Sequence, residues 1–132
     1  MSQENVEIVR TVFQLFSAGG AEAVLAVCDD AVVTRRVAPF PDPGTWHGHQ
    51  GLLDAVADWT RTFDALEVTG DQFVDIGDHV VARVDQEARG RDSGAPVRAT
   101  FWFVFRVRNG EIVALDMHAS RSKALDAVGL SE

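Results

Sequence analysis

From Val97 to Val113 and on to Ala119 the chain alternates apolar and polar positions in two long runs, broken only at Asn109-Gly110. An Asn-Gly pair between two such runs predicts a tight hairpin, because a type I′ turn needs φ > 0 at both of its central residues. Side chains alternate sides along a strand, so Val97, Ala99, Phe101, Phe103, Phe105 and Val107 share one face, and Val113, Leu115 and Met117 extend it into the second arm. A face this apolar needs helices to cover it. The reverse face carries Arg98, Thr100, Trp102, Val104, Arg106 and Arg108, then Ala114, Asp116 and His118. There Trp102 and Val104 form an apolar patch that a second subunit could cover.

Upstream, the period is helical. Ser2 occupies an N-cap position with Glu4 in the first turn, and Val6, Val9, Val12, Phe13 and Phe16 form one stripe that ends at Gly19-Gly20. A shorter helix is predicted from Ala21 to about Cys28, burying Val24, Leu25 and Val27, followed by a break at Asp29-Asp30 and a strand from Ala31 to Val37. Pro39, Pro41, Pro43 and Gly44 mark Ala38 to Trp46 as a loop outside any ladder. Since that loop carries Phe40 and Trp46, it is expected to fold over something apolar. The third helix is expected from about Gln50 to Phe63, with Leu52, Val56, Trp59 and Phe63 on its stripe. Beyond Leu66 the period becomes two, which predicts strands over Val68–Ile76 and His79–Arg89 with a turn at Gly77-Asp78. A polar connection from Gly90 to Pro96 leads into the hairpin, and Ser120 caps a last helix through Val128, stopped by Gly129. No linker or repeat interrupts residues 1–132, so the expectation is one α+β domain with helices gathered on one face of a curled antiparallel sheet.

A length of 132 residues supports a core without staples. The single cysteine, Cys28, excludes an internal disulfide, and its apolar neighbours make it a packing residue. A formal charge of −8 argues against a general nucleic-acid or anionic-membrane surface, both of which require a cationic footprint. No apolar run approaches a signal-peptide or membrane-spanning length, so a cytoplasmic location is expected. His47-Gly48-His49 invites a metal reading, but no third ligand falls at a diagnostic spacing, and neither a metal nor a cofactor is expected.

The order of elements, together with Glu4-Asn-Val-Glu-Ile-Val-Arg10, Ala18-Gly19, Phe40-Pro-Asp-Pro-Gly-Thr-Trp-His-Gly48, Ile76-Gly-Asp78 and Arg108-Asn-Gly-Glu-Ile-Val113, resembles the nuclear transport factor 2-like (ketosteroid isomerase-like) superfamily. Within it, the chain is similar to SnoaL-like proteins over nearly its whole length. The resemblance implies a cone: a curved antiparallel or mixed sheet wrapped around the N-terminal helices, a pocket open at one end and a short C-terminal helix. It also implies homodimers through the outer sheet face, here at Trp102, Val104 and His118.

Such cones host isomerases, cyclases, dehydratases, hydrolases and binding domains, so function must be argued from residues. Where ketosteroid isomerases carry a tyrosine, a base and a protonated acid, the matching positions are Val12, Arg35 and Phe103, and the chain has no tyrosine. The inward carboxylate of SnoaL-type cyclases corresponds to Met117, and the flanking Asp116 is expected to point outward. Limonene epoxide hydrolase-like members offer a closer match, since their Arg-x-Asp corresponds to Arg83-Val84-Asp85. In a dry pocket Asp85 could act as a base toward water, while Arg83 and Arg35 stabilise developing negative charge. The local pattern opposes this orientation. Val80, Ala82 and Val84 form an apolar face of their own, which sends Arg83, Asp85, Glu87 and Arg89 to water. Val12, Phe16, Phe40, Trp46, His47, Trp59, Phe101, Phe103 and Met117 are the expected ligand-contacting residues, favouring an apolar or ring-bearing molecule. Gln86 is polar within an apolar face, and if buried it needs a partner, either a ligand or a backbone carbonyl. Two functions follow: a pocket enzyme doing cofactor-free acid/base chemistry on a small molecule, or a binding or interaction domain that lacks the family's acids.

Overall fold

Valines and phenylalanines at helical spacing at one end of the chain, and at alternate positions at the other, bring three helices onto a six-stranded sheet in the computed structural model, which describes residues 2–61 and 63–130. The elements are α1 (Ser2–Val24), β1 (Cys28–Arg36), β2 (Gly44–His47), α2 (Gly48–Thr60), β3 (Phe63–Ile76), β4 (His79–Gly90), β5 (Pro96–Arg108), β6 (Glu111–His118) and α3 (Arg121–Ala127). The sheet order is β2-β1-β6-β5-β4-β3, antiparallel except where β1 runs parallel to β6. Its concave face takes α1 and α2, with Val9, Val32, Val80, Val84, Phe105 and Ile112 at the centre of the core. The capping expected of Ser2 lies outside the described side chains.

Several boundaries differ from the sequence pattern. Instead of a second helix to Cys28, α1 continues through a kink at Gly20 (φ 73°) and gives way to a 3₁₀ turn over Leu25–Val27, so Cys28 already belongs to the sheet. The expected break at Asp29-Asp30 is an irregularity in pairing between Cys28 and Val33, where the Asp29 carboxylate accepts from the Ala31 amide at 2.9 Å. The proline-rich loop also contributes a strand. Its prolines all precede Gly44, so the amides of β2 remain free to pair with β1, Trp46 opposite Thr34. Helix α2 ends at Thr60, and Phe63 opens β3 rather than closing the helix.

Curvature comes from β3. Pairing with β4 shifts between Asp64 and Glu67 and between Asp71 and Val74, and the residues within these bulges, Ala65 and Gln72, have φ near +50° (53° and 51°). The second bulge switches the inward face: Leu66 and Val68 face the concave side before it, Phe73 after it, while Val74 and Ile76 turn outward. Between the bulges, Phe13 of α1 lies directly on Gly70, where a Cβ would come within 2.5 Å of its ring.

The hairpin between β5 and β6 follows the Asn-Gly expectation, with φ of 52° at Asn109 and 79° at Gly110. One detail differs. A shift after Arg106 pairs Val107 with Ile112, so Ile112 enters the core and Val113 becomes the bulged residue. At the far end the Ser120 hydroxyl accepts from the Lys123 amide at 3.3 Å, and the Gly129 and Leu130 amides close α3 on Asp126 and Leu125 carbonyls. Helix α3 lies on the convex face, where Ala124 and Leu125 bury Val81 and Val104. The patch expected to await a second subunit is thus covered in part by the chain's own helix, with Trp102 packed beside it.

The expectation that no segment reaches membrane-spanning length also needs correction. Gln3–Val27 is long and apolar enough by composition, with mean hydropathy 1.2 over its best window. In the fold, its stripe of Val6, Val9, Val12 and Phe13 is packed into the core.

Candidate ligand cavity

The concave face and the two long helices do not fill the space between them. A cavity of about 100 Å³ remains, and one water takes roughly 10–15 Å³ on this scale, so the void has room for a small ring system. Val12, Phe13 and Phe16 of α1, Leu52, Ala55, Val56 and Trp59 of α2, and Val84, Phe101, Phe103, Phe105, Leu115 and Met117 of the sheet line it. Phe40 completes one wall. Although it lies in a loop it is 2% exposed, 4.5 Å from the Phe101 ring centroid and 5.1 Å from Trp59, which itself meets Phe101 edge-on at 5.8 Å.

The lining includes most of the expected ligand contacts: Val12, Phe16, Phe40, Trp59, Phe101, Phe103 and Met117. Trp46 and His47 are not among the lining residues. Trp46 turns to the Arg36 guanidinium, 4.5 Å from its ring, and His47 is the residue before α2, giving no side-chain cap. Phe103 and Met117 are direct cross-strand partners, so two positions at which related folds carry acids form one apolar wall. Among the described residues, the only polar side chains on the lining besides the Trp59 indole are Thr60 and Gln86. Gln86 is 4% exposed, and its Oε1 accepts from Trp59 Nε1 at 2.6 Å. Its partner is thus neither of the two anticipated.

Arg83 and Asp85 do not reach this cavity. With Val80, Ala82, Val84 and Gln86 inward, alternation places them on the convex face, as the local pattern indicated and contrary to the resemblance. They form a surface ladder: Arg83 lies 3.4 Å from Asp85, which accepts from the Thr100 hydroxyl at 2.7 Å, and Arg98 pairs with Glu87 at 2.8 Å. Assigning Asp85 as a base and Arg83 as an electrostatic group for a molecule in the cone is therefore corrected. The same holds for Arg35, whose guanidinium makes a two-pronged contact with Asp116 on the exposed side (2.9 and 3.2 Å).

The buried arginine is its neighbour. Arg36, 3% exposed, donates to the Ala55 carbonyl (2.9 Å), Asp58 (3.0 Å) and the Asp42 carbonyl (3.2 Å), and lies between Trp46 and Trp59. Its signal in the sequence was the Arg35-Arg36 doublet on a strand, where one member must face inward. Arg36 ties β1 to α2 and to the loop carrying Phe40, and so fixes the aromatic wall from outside the cavity.

Ionisable groups elsewhere are held in place by burial or by neighbours. Burial pushes the Cys28 thiol up to about 11, with Glu111 adding to the effect, so it stays protonated and is a packing residue. Asp78, hydrogen-bonded to Arg106 at 3.1 Å and facing His79, is held below its ordinary value chiefly by that arginine. His49 reaches the Cys28 carbonyl at 3.1 Å, and among the described residues no three His, Cys, Asp or Glu side chains converge as a metal site.

His118 is 6% exposed, and its Nε2 has no hydrogen-bond partner among the described residues. Desolvation lowers its pKa, outweighing the opposite pull of Asp116, while Arg35 lowers it further. A base whose folded pKa lies below its unfolded value binds fewer protons when folded, so stability is full above the ordinary value of 6.5 and is lost as pH falls below it. Denaturant midpoints measured from pH 7.5 down to pH 5 are expected to fall in the wild type and to fall less in His118→Leu. Parallel curves would show that His118 ionises freely in the folded state.

The SnoaL-like domain model matches residues 9–115. The chain belongs to that family. Among solved structures, this SnoaL-like chain is similar to an NTF2-like protein from Burkholderia pseudomallei, at 20% identity over 96% of this chain and 98% of that one, with a TM-score of 0.77. A putative SnoaL-like polyketide cyclase from Jannaschia is 16% identical over 99% of this chain and 95% of that one, TM-score 0.77. TerC, co-crystallised with polyporic acid, is 18% identical over 95% and 97% respectively, TM-score 0.76. At such identities the likeness is one of fold. No curated protein matches the chain.

Proposed function

We propose that this SnoaL-like domain binds a small, apolar, ring-bearing molecule in its cone and holds it without acid/base chemistry of its own. The observation that carries this reading is the cavity lining, on which no described residue is ionisable. General acid/base catalysis requires a titratable group within hydrogen-bond reach of the substrate. The aromatic wall of Phe40, Trp59 and Phe101 instead supports recognition by burial and ring contacts.

Titration calorimetry with indane is expected to show saturable binding at one site per chain. Leu66→Trp, which places an indole in the cavity, is expected to weaken binding by at least about tenfold, and Asp85→Asn on the convex face to leave it unchanged. Binding insensitive to Leu66→Trp would overturn the reading.

The likeness to the putative polyketide cyclase supports a second reading. A cavity can speed an intramolecular ring closure by holding a flexible chain in its reactive conformer, with no titratable side chain taking part. Turnover of a polyketide-like ester that Leu66→Trp abolishes and Asp85→Asn preserves would favour this reading over simple binding.

A further inference from the structure

The indole nitrogen of Trp59 is a donor and never an acceptor, so the Gln86 atom 2.6 Å from it must be the amide oxygen. This settles the orientation of an amide that would otherwise be ambiguous. Its Oε1 is thereby engaged with Trp59, while Nε2, with two N–H donors, makes no hydrogen bond among the described residues and is not one of the side-chain atoms closed off without a partner, so it keeps some accessible surface. Gln86 is nonetheless nearly fully buried, and its side chain lines the cavity beside Trp59 and Phe101. A ligand that fills the cavity and covers this donor would desolvate it, a cost that a ligand bringing an acceptor avoids.

We infer that Gln86 is the specificity-determining donor of the cavity, selecting ring-bearing molecules with a neutral carbonyl-type oxygen placed against the aromatic wall. The class follows from what the site contains and from what it lacks. An N–H donor calls for an acceptor, which excludes pure hydrocarbons as the preferred ligands. A carboxylate or phenolate would have to leave water with only a neutral amide to receive it, and the buried Arg36 does not line the cavity and is already paired with Asp58. A neutral ketone, quinone, ester or lactone suits both conditions. Trp59 acts as a positioning residue, since its indole keeps the amide from turning its oxygen toward the ligand.

This inference rests on the pocket reading above, and a matched pair of probes separates the two. Indane and 1-indanone share a ring skeleton and differ by one carbonyl. In the wild type and in Gln86→Leu, the ratio of indanone to indane affinity is the quantity to compare, because the difference in water solubility cancels between the two proteins. The ratio is expected to fall by about tenfold in the variant, with indane binding retained or strengthened. The infrared carbonyl stretch of bound indanone is expected at lower frequency in the wild type than in Gln86→Leu. Equal ratios in the two proteins would overturn the donor role while leaving the pocket intact, and binding of neither probe to the wild type would overturn both. Indane binding by Gln86→Leu itself reports that the variant is folded. If that variant fails to fold, Gln86→Met provides the same comparison, and the carbonyl stretch in the wild type remains an independent test.

Discussion

Arg36→Ala is expected to lower the unfolding free energy by about 3 kcal/mol, whereas Arg35→Ala, one residue away, should stay within about 0.5 kcal/mol. The two arginines differ in burial, not in charge. Arg35 meets Asp116 on the exposed side of the sheet, where water screens the pair and competes for every donor. Arg36 has 1% of its side chain exposed, and its guanidinium is fixed by two carbonyls, a carboxylate and two indole rings. Removing it leaves the Ala55 carbonyl and Asp58 without their cationic partner and opens a void between Trp46 and Trp59. Asp58 is 33% exposed and recovers some hydration, which is why the expected loss sits at the lower end of the range for broken buried pairs. Arg36→Lys should fall between the two, because an ammonium keeps the charge but cannot fork between Ala55 and Asp58 or stack on an indole. Urea midpoints of the three variants test this ordering. If Arg36→Ala and Arg35→Ala were equally mild, the coupling of β1 to α2 through this side chain would be wrong. Since Arg36 also contacts Trp59, its loss should weaken indane binding, even though Arg36 does not line the cavity.

How much of this could be read from the chain depended on whether the deciding contact was local. The Asn109-Gly110 turn, the Ser120 cap and the inward run from Phe101 to Phe105 were legible because each is set by residues a few positions apart. Local alternation along β4 also placed Arg83 and Asp85 on the convex face, where the resemblance to epoxide hydrolases had drawn them inward. The irregularities were not legible. Nothing in Ala65 or Gln72 favours φ > 0, and those bulges arise where a long edge strand must bend over α1. Strand β2 was hidden by three prolines just before it. The choice between Arg35 and Arg36 turned on Trp46, Ala55 and Asp58, partners distant in sequence that appear only once β2 and α2 have packed. Gln86 was singled out by its pattern alone, but its partner, an indole 27 residues away, could not be inferred from the strand.

The other large effect is expected at Phe105, where core and cavity share one side chain. Phe105 is 1% exposed, meets Phe13 edge-on at 5.8 Å and Phe103 at 6.3 Å, and also lines the cavity. Phe105→Ala should cost about 3–5 kcal/mol, combining the lost burial of the ring with the void left behind. That void would join the existing cavity rather than form a closed one, and its walls are apolar, so it should stay dry and accept a larger ring system. A ligand that binds only the folded state stabilises it by about 2.7 kcal/mol at a hundred times its Kd. A ring system one benzene ring larger than the largest that the wild type binds should therefore raise the melting temperature of Phe105→Ala and leave that of the wild type nearly unchanged. A loss below about 1 kcal/mol would show that the ring is poorly packed. A full loss with no rescue by any aromatic ligand would mean that the core collapses onto the vacancy, and the proposed pocket would then lack the rigidity that holding a ligand requires.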